Sequence, residues 1–533
     1  MKSLTRNSEL NPVQFLIVLL LALGIFFRFF NLEGKVYWHD ETYTSLRISG
    51  YTSQEVFQQL FDGRVIGIED FAKFQHPNSE KGLIDTLKSL AIEDPQHPPF
   101  YYVMARFWVQ WFGNSVTAMR SFSAFLSLLV FPCIYWLCRE LFESPLVAMP
   151  TASFATALIA ISPIHVLYAQ EAREYTLWTV TLLLLSASLL RAMRLKTKFS
   201  WAIYAVTLAL SLYTFLFSAL VAVAQGIYII VTERFRWTPI VTAFVIASLA
   251  GVFIFAPWII VLNTNFSQFQ DTTSWTMMKV PPLILIQAWS LHINRIFIDF
   301  DFGFENPVTY LITPAFLILV GYAIYFLCRN TPKQIWLFIL TLIGVPALSL
   351  MLPDLVFGGL RSASSRYLIP SFLGIQLAVA YLLAAQLSSK SFSRRKIWQA
   401  MMTLLIVSGV VSCAVSSQAE TWWSKVISYS NPKVARIINQ AERPLLVSNS
   451  FGINPGNVFS LSYILDPKVR FQLVVDPNIP KIPDDSNAIN RVSTVFLLSP
   501  SDKLREQVEK QKNSQSEGVY GDNHLWLLKL AKP

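Results

Sequence analysis

Four short stretches of this chain bring together side chains able to do chemistry. The first is Tyr37-Trp38-His39-Asp40-Glu41-Thr42-Tyr43. Aromatic residues around the adjacent carboxylates Asp40 and Glu41 would hold the stretch at the headgroup level of a membrane. A carboxylate there is partly desolvated and gains basicity, which suits a general base acting on an acceptor hydroxyl or amine. Adjacent carboxylates can also bind a divalent cation beside a phosphate, or be a hydrated loop pair. The second stretch runs Glu93-Asp94-Pro95-Gln96-His97-Pro98-Pro99-Phe100-Tyr101-Tyr102. Its prolines fix the backbone where a short helix begins. His97 stands at the entry of that helix, where an imidazole can donate to a phosphate or bind a metal. The third is Tyr168-Ala169-Gln170-Glu171-Ala172-Arg173-Glu174-Tyr175, three charges in one short connection. The fourth is Arg361-Ser362-Ala363-Ser364-Ser365-Arg366-Tyr367-Leu368-Ile369-Pro370, where Arg366 offers a planar fork of donors suited to a phosphate. Arg120 stands apart, at the start of an apolar run. An arginine entering a membrane helix calls for a functional partner or snorkels to the headgroups.

The elements that must position these residues are membrane helices. Apolar residues make up 53% of the 533 and charged residues 14%, with a mean hydropathy of +0.45. An ordinary soluble domain carries about 25% charge. The deficit excludes disorder and a water-exposed globule of this length, and indicates a polytopic α-helical membrane protein. The net charge of +10 sits in short connections between apolar runs, so it reports topology and does not indicate a nucleic-acid partner. Cys133, Cys138, Cys328 and Cys413 all lie inside apolar runs and read as buried thiols.

The run from Val13 to Phe30 is too long for a signal-peptide core and has no small-residue cleavage pattern after it, so it reads as a retained helix. Ten further runs follow, at 117–139, 146–165, 175–191, 200–214, 217–232, 238–262, 307–328, 334–352, 367–388 and 397–416, which makes about eleven spans. Lys2 and Arg6, Arg139, the segment 191–198, Arg234 with Arg236, 329–333 and 390–396 supply the positive connections. Placing these inside puts the N-terminus in the cytoplasm and the segments 31–116, 166–174, 263–306, 353–366 and 417–533 outside. All four stretches then face the same side. Pro99 to Phe112 rises only about 21 Å as a helix, short of a hydrocarbon core of about 30 Å, and reads as an interfacial or re-entrant helix.

The expected division is a membrane module at 1–416, with 31–116 as a first outer loop carrying interfacial helices, and a small extracytoplasmic α/β domain at 417–533. In the latter, period-2 apolar runs at 445–447, 471–475, 495–498 and 525–528 read as strands. The segments 433–440 and 501–512 read as helices, the second capped by Ser501. No Gly-rich phosphate loop occurs in this tail, which reads as a packing or docking domain.

The order Asp40-Glu41, His97-Pro98-Pro99, Arg120-Ser121-Phe122, Glu171-Ala172-Arg173-Glu174-Tyr175-Thr176-Leu177 and Arg366-Tyr367-Leu368 resembles the GT-C membrane glycosyltransferases. The nearest branch is glycosyltransferase family 39, which holds the dolichyl-phosphate-mannose protein mannosyltransferases and bacterial relatives such as the lipid A aminoarabinose transferase. The resemblance covers about 1–390 and includes Leu212-Tyr213-Thr214-Phe215 as a tight outer hinge. It implies transfer of a sugar from a polyprenyl-phosphate donor to a lipid, glycan or protein acceptor on the non-cytoplasmic face of a bacterial inner membrane. Carried over, Asp40 is the base and Glu41 assists it or binds a cation. Arg120 and Arg366 contact the donor phosphate or neighbouring carboxylates, and Glu171 and Arg173 line the substrate site. His97 and Tyr367 shape the pocket, and a divalent cation at Glu41 or His97 is the one cofactor left open. The protein mannosyltransferases have an aspartate in the loop where this chain has Glu171 to Glu174, and the tail has no lectin-like repeat, so the bacterial relatives fit better. The competing readings are a transporter or flippase, which predicts internal symmetry and mid-membrane charges, and an inactive scaffold with a sensing tail.

Overall fold

The computed structural model describes residues 12–483 and 493–531. Lys2 and Arg6, invoked above for orientation, lie outside the described residues. The chain forms two compact units, one of residues 1–30, 96–100 and 123–417, the other of 31–95, 101–122 and 418–533.

The first unit is helical and built for a membrane. Among the described residues, eight helices are long and apolar enough to cross one: Pro12–Phe29, Val116–Leu141, Tyr175–Leu195, Pro239–Thr264, Pro307–Asn330, Lys333–Phe357, Ser365–Leu387 and Phe392–Ser417. Pro145–Ala160 and Pro163–Ala169 meet at a 62° bend and make a ninth if the broken pair spans. The other two expected segments are the helices Lys198–Thr214 and Ser218–Thr232, of 17 and 15 residues. The shorter rises about 22 Å. Ser218 Oγ ties the two at their turn by donating to the Ser211 carbonyl at 2.7 Å, and Trp178 Nε1 donates to it at 2.9 Å.

Arg28, the one charge of the first apolar run, has a local explanation. The helix Pro145–Ala160 breaks where Ser162 precedes Pro163, which leaves carbonyls without partners. Arg28 donates to the Ala160, Ile159 and Gly24 carbonyls at 2.5, 3.0 and 2.7 Å. Gly24 permits this approach, because a Cβ there would strike the Ala160 carbonyl.

The second unit is α/β. Its sheet has the order β1-β3-β2-β4-β6-β5, with β1 Asp62–Ile66, β2 Pro444–Asn449, β3 Arg470–Val474, β4 Thr494–Leu498, β5 Ser516–Gly521 and β6 Trp526–Leu530. β2 lies parallel to both β3 and β4 and the other pairings are antiparallel. All six residues of β2 are buried, as expected for a central strand covered on both faces. Leu446, Phe471, Phe496 and Leu498 face one core, together with Leu46, Tyr51, Val56 and Phe61 of the first loop. Leu445, Val447, Val495 and Leu497 face the other, with Leu504 and Val508. The helices Asn431–Asn439 and Asp502–Lys512 stand where the sequence places them, and Ser501 Oγ accepts from the Leu504 N–H as the cap. The compact unit does not begin at residue 417. The first loop lends β1 to the sheet edge and its helices His39–Ser49 and Ser53–Leu60 to one core, so loop and tail bury each other's apolar faces.

In the short helix Phe100–Phe112 of this unit, Arg106 is buried and donates to the Ile48 carbonyl at 2.6 Å, to Thr86 Oγ1 at 3.0 Å and to the Lys81 carbonyl. The opposite face exposes Phe107, Trp111 and Phe112.

Candidate functional site

In the membrane unit, three of the sequence-predicted residues meet where the helix Tyr175–Leu195 begins. The Trp178 N–H donates to the Glu174 carbonyl at 2.8 Å, so Glu174 is the residue at which this helix starts. The Arg173 N–H closes a tight turn on the Glu171 carbonyl at 2.8 Å, and Thr176 Oγ1 donates to the Tyr168 carbonyl at 2.8 Å. This folds Glu171, Arg173 and Glu174 inward, and all three are buried. Glu174 Oε1 lies 2.9 Å from His97 Nδ1, and Arg173 Nη2 lies 3.1 Å from His97 Nε2. An arginine offers only donors. The imidazole therefore accepts from Arg173 at Nε2 and donates to Glu174 at Nδ1. Arg173 Nε also stands 3.4 Å from Glu174 Oε2. Burial by itself would raise the Glu174 carboxyl, but Arg173 and His97 outweigh it and hold the group down at about 2.

Arg366 and Tyr367 join this cluster through aromatic rings. The Arg366 guanidinium carbon lies 5.7 Å from the Tyr175 centroid, 5.7 Å from Trp275 and 5.4 Å from Tyr367. Arg173 lies 5.8 Å from the same Tyr175 ring. Two cations thus converge on one aromatic side chain. Tyr367 packs against Phe215 and Phe217, with centroids at 5.8 and 5.0 Å. Beside Arg366, Ser365 Oγ shares a 2.8 Å hydrogen bond with the Tyr168 hydroxyl. Glu171, Arg366 and Arg295 all lie within electrostatic reach of that hydroxyl.

The backbone carrying Arg366 is pinned from several sides. Gly358 and Gly359 turn the chain with φ of +85° and +154°, a region side-chain-bearing residues avoid. Asp354 accepts from the Ser362 N–H at 2.6 Å, Ser362 Oγ at 2.7 Å and Arg361 Nε at 3.0 Å. Trp289 Nε1 donates to Ser362 Oγ at 3.0 Å, and the Leu360 N–H donates to the Thr276 carbonyl at 2.7 Å. His292, on the same helix as Trp289, lies with Nε2 2.9 Å from the Ala363 carbonyl. Burial pushes its imidazole down to about 3, so it is neutral and donates through that nitrogen. Glu174 was only part of a charged loop in the sequence, and Tyr175 closed it. Trp275, His292 and Asp354 carried no sequence signal that tied them to Arg366.

The second unit holds Asp40, Glu41 and Arg120. Trp38 precedes the helix His39–Ser49, which puts both carboxylates in its first turn, where the positive end of the helix dipole favours them. Asp40 is half-buried and Glu41 fully buried. Glu41 forms a bidentate pair with Arg120, Oε1 to Nε at 2.8 Å and Oε2 to Nη2 at 2.6 Å, and accepts from the Trp38 N–H at 3.2 Å. Arg120 also donates to the Leu32, Lys35 and Val36 carbonyls at 2.6, 2.9 and 2.9 Å. Of the two roles expected for Arg120, this geometry is that of a partner to a carboxylate; contact with a donor phosphate would require it to leave these five acceptors. Glu41 could serve a cation only by releasing Arg120. Among the described residues no group of three or more His, Cys, Asp or Glu is placed to hold a metal ion, and Glu41 and His97, the two residues left open for one, belong to different units. The acids preceding His97 also have a local role: Asp94 lies 2.5 Å and Glu93 3.5 Å from the Arg47 guanidinium. Burial pushes the Tyr43 phenol up to about 12, with Asp94, Glu93 and Asp40 adding to that push against Arg47.

Residues 96–261 match the family model described as dolichyl-phosphate-mannose-protein mannosyltransferase. No curated protein matches the sequence. The whole chain is similar in fold to solved membrane enzymes. ArnT from Cupriavidus metallidurans bound to undecaprenyl phosphate matches at 12% identity and a TM-score of 0.52, over 96% of this chain and 98% of that one. Its apo form matches at 11% and 0.54, over 97% and 98%. The archaeal oligosaccharyltransferase AglB from Archaeoglobus fulgidus, in complex with an inhibitory peptide and a dolichol-phosphate, matches at 12% and 0.51, over 91% of this chain and 69% of that one. The family match covers His97 and the loop from Glu171 to Glu174, and the shared fold covers nearly all of the rest. Together they show that the chain has the membrane fold of the GT-C glycosyltransferases and that its residues 96–261 are similar to the dolichyl-phosphate-mannose-protein mannosyltransferases.

Proposed function

We propose that this enzyme transfers a sugar from a polyprenyl-phosphate donor to an acceptor on the non-cytoplasmic face of a bacterial inner membrane, its N-terminus cytoplasmic and its tail extracytoplasmic. The observation that carries the donor assignment is the convergence of Arg173 and Arg366 on Tyr175, where a long buried helix begins. Guanidinium groups held near aromatic rings suit a phosphate that must be held at a membrane boundary. The leaving phosphate gains charge as the glycosidic bond breaks, and fixed cations stabilise it. His97, braced by Glu174, keeps Arg173 oriented, and Glu171 and Tyr367 complete the wall of the donor site. Two fold neighbours, ArnT and AglB, were solved with undecaprenyl phosphate and a dolichol-phosphate, which supports this class of donor lipid.

Asp40 is the proposed general base. It takes the proton of the acceptor hydroxyl or amine as that atom bonds to the anomeric carbon, and the carbon–oxygen bond to the polyprenyl phosphate breaks with its electron pair on the phosphate. Glu41, locked on Arg120, holds the helix start that presents Asp40. The acceptor is a lipid, glycan or protein.

The test is release of polyprenyl phosphate by purified, lipid-reconstituted protein given a panel of undecaprenyl-phosphate sugars. The expected result is turnover of one donor, lost by two orders of magnitude or more in Asp40→Asn while donor binding persists. Unchanged turnover in Asp40→Asn would remove it as base. Absence of undecaprenyl-phosphate binding in folded wild-type protein would overturn the donor assignment.

A further inference from the structure

We infer that two loops of the membrane unit, 195–199 and 233–238, together form a docking site for the headgroups of anionic phospholipids. The inference does not depend on the transferase reading. The loops flank one hairpin of short helices: Lys198–Thr214 begins at the first loop and Ser218–Thr232 ends at the second. They also lie side by side. The helix Pro239–Thr264 leaves the second loop and packs along Lys198–Thr214. Tyr204 and Phe244, each less than two turns into its helix, have ring centroids 5.7 Å apart. Further along, a Cβ on Gly251 would strike the Ala205 carbonyl. Helices in such contact have axes about 8–10 Å apart, which sets the spacing of the two loops.

Lys196 and Lys198 on the first loop and Arg234 and Arg236 on the second are exposed. Among the described residues no carboxylate pairs with any of the four, whereas Glu140 holds Arg191 and Arg194 at 3.5 and 2.7 Å. Glu233 is the one acid in either loop. Phe199, Phe235 and Trp237 interleave with the cations and are 75, 78 and 76% exposed. Orientation in the membrane asks only for positive charge, in any conformation. Arg234 and Phe235 instead both take left-handed backbone, with φ of +55° and +58°, where a Cβ is disfavoured and glycine is usual after a helix end. The Phe235 N–H closes this turn on the Ile230 carbonyl at 2.8 Å. Strain kept where glycine would relieve it points to a use for the side chains.

The hairpin supplies that use. Its helices of 17 and 15 residues rise about 26 and 22 Å, short of a hydrocarbon core of about 30 Å. Flanking residues held at the headgroup level accommodate such a shortfall. Cations meet the lipid phosphates there, and aromatic rings rest at the same depth. A soluble polyanion or an acidic protein would leave Phe235 and Trp237 in water. Two pairs of cations on neighbouring helices match two neighbouring phosphates, as one cardiolipin carries. The patch is separate from the cluster assigned to the donor phosphate. The helix Tyr175–Leu195, 21 residues long, starts at that cluster and ends at the first loop, a rise of about 30 Å.

The experiment compares wild type, Lys196→Gln/Lys198→Gln, Arg234→Gln/Arg236→Gln and Arg234→Gly as full-length protein. Melting is measured in nanodiscs of phosphatidylcholine alone and of equal parts phosphatidylcholine and cardiolipin, and cardiolipin is titrated in detergent by native mass spectrometry. Wild type should melt several degrees higher with cardiolipin. Each double variant should lose most of that rise and bind cardiolipin about fivefold more weakly per cation removed. Arg234→Gly relieves the left-handed strain, so it should melt at or above wild type in phosphatidylcholine and still lose part of the cardiolipin response, which separates lipid binding from folding. A wild type indifferent to cardiolipin, or variants that respond as wild type does, would overturn the site. Displacement of the bound cardiolipin by undecaprenyl phosphate would make the patch a polyprenyl-phosphate site and overturn the assignment to phospholipid.

Discussion

Replacing Arg120 with lysine should weaken the fold and leave donor recognition intact in the protein that folds. All five guanidinium hydrogens are used internally, two on the Glu41 carboxylate and three on the Leu32, Lys35 and Val36 carbonyls. Lysine brings three donors on a flexible stem without a planar fork, so at least two acceptors lose their donor. A buried acceptor left unpaired costs about 1–3 kcal/mol; because Glu41 Oε2 keeps the Trp38 N–H and the Val36 carbonyl keeps Trp422 Nε1, the loss stays near that of one acceptor, and the retained positive charge beside Glu41 holds it toward the lower end. Arg120→Met strands the buried carboxylate as well, which costs about 3–5 kcal/mol before the carbonyls are counted. Adding Glu41→Gln to Arg120→Met should recover part of that loss, because no buried charge is then left alone. The assay is thermal unfolding in one detergent at one scan rate, since large proteins unfold irreversibly, alongside undecaprenyl-phosphate binding by the folded fraction. Wild-type melting in Arg120→Lys, combined with tenfold weaker binding of the lipid phosphate, would refute the reasoning and make Arg120 a donor ligand.

The Glu174 carboxyl, held at about 2 against an ordinary value of 4.5, contributes stability that is complete above pH 4.5 and is lost as pH falls toward 2; at about 1.4 kcal/mol per unit this is roughly 3 kcal/mol. Melting of wild type from pH 7 to 2 should therefore show an acid loss that Glu174→Gln lacks, and parallel curves would contradict the ion-pair account. Arg366→Lys removes the guanidinium that lies 5.7, 5.7 and 5.4 Å from the Tyr175, Trp275 and Tyr367 rings. It should bind undecaprenyl phosphate about tenfold more weakly at nearly unchanged melting temperature, and equal affinity in a titration would remove Arg366 from the phosphate site. Asp354→Ala strips three donors of their acceptor. A loss of about 2–3 kcal/mol should come with faster amide exchange across 358–368, and unchanged exchange there would show that other contacts pin the loop.

Composition and local periodicity made the membrane architecture legible, because an apolar run reports burial or lipid contact wherever it folds. Each of the eleven apolar runs is helical in the structure, and each tail segment read as strand or helix is one. The candidate site residues were visible as charges in otherwise apolar stretches. Their partners were not. Glu41 meets Arg120 across 79 positions, and His97 meets Arg173 across 76. β1, a polar Asp-Gly-Arg-Val-Ile stretch with no strand signal, pairs with β3 about 400 residues later. No local pattern encodes such encounters; they are chosen by which apolar faces must be buried together. The sequence by itself determined that this is a helical membrane protein with ionisable side chains at the helix ends. Tertiary structure alone decided which of them pair and become framework, as Glu41 and Arg120 do, and which gather on aromatic rings, as Arg173 and Arg366 do. The physical reason is that a charge's role depends on the donors, acceptors and rings that long-range packing brings within a few ångströms of it.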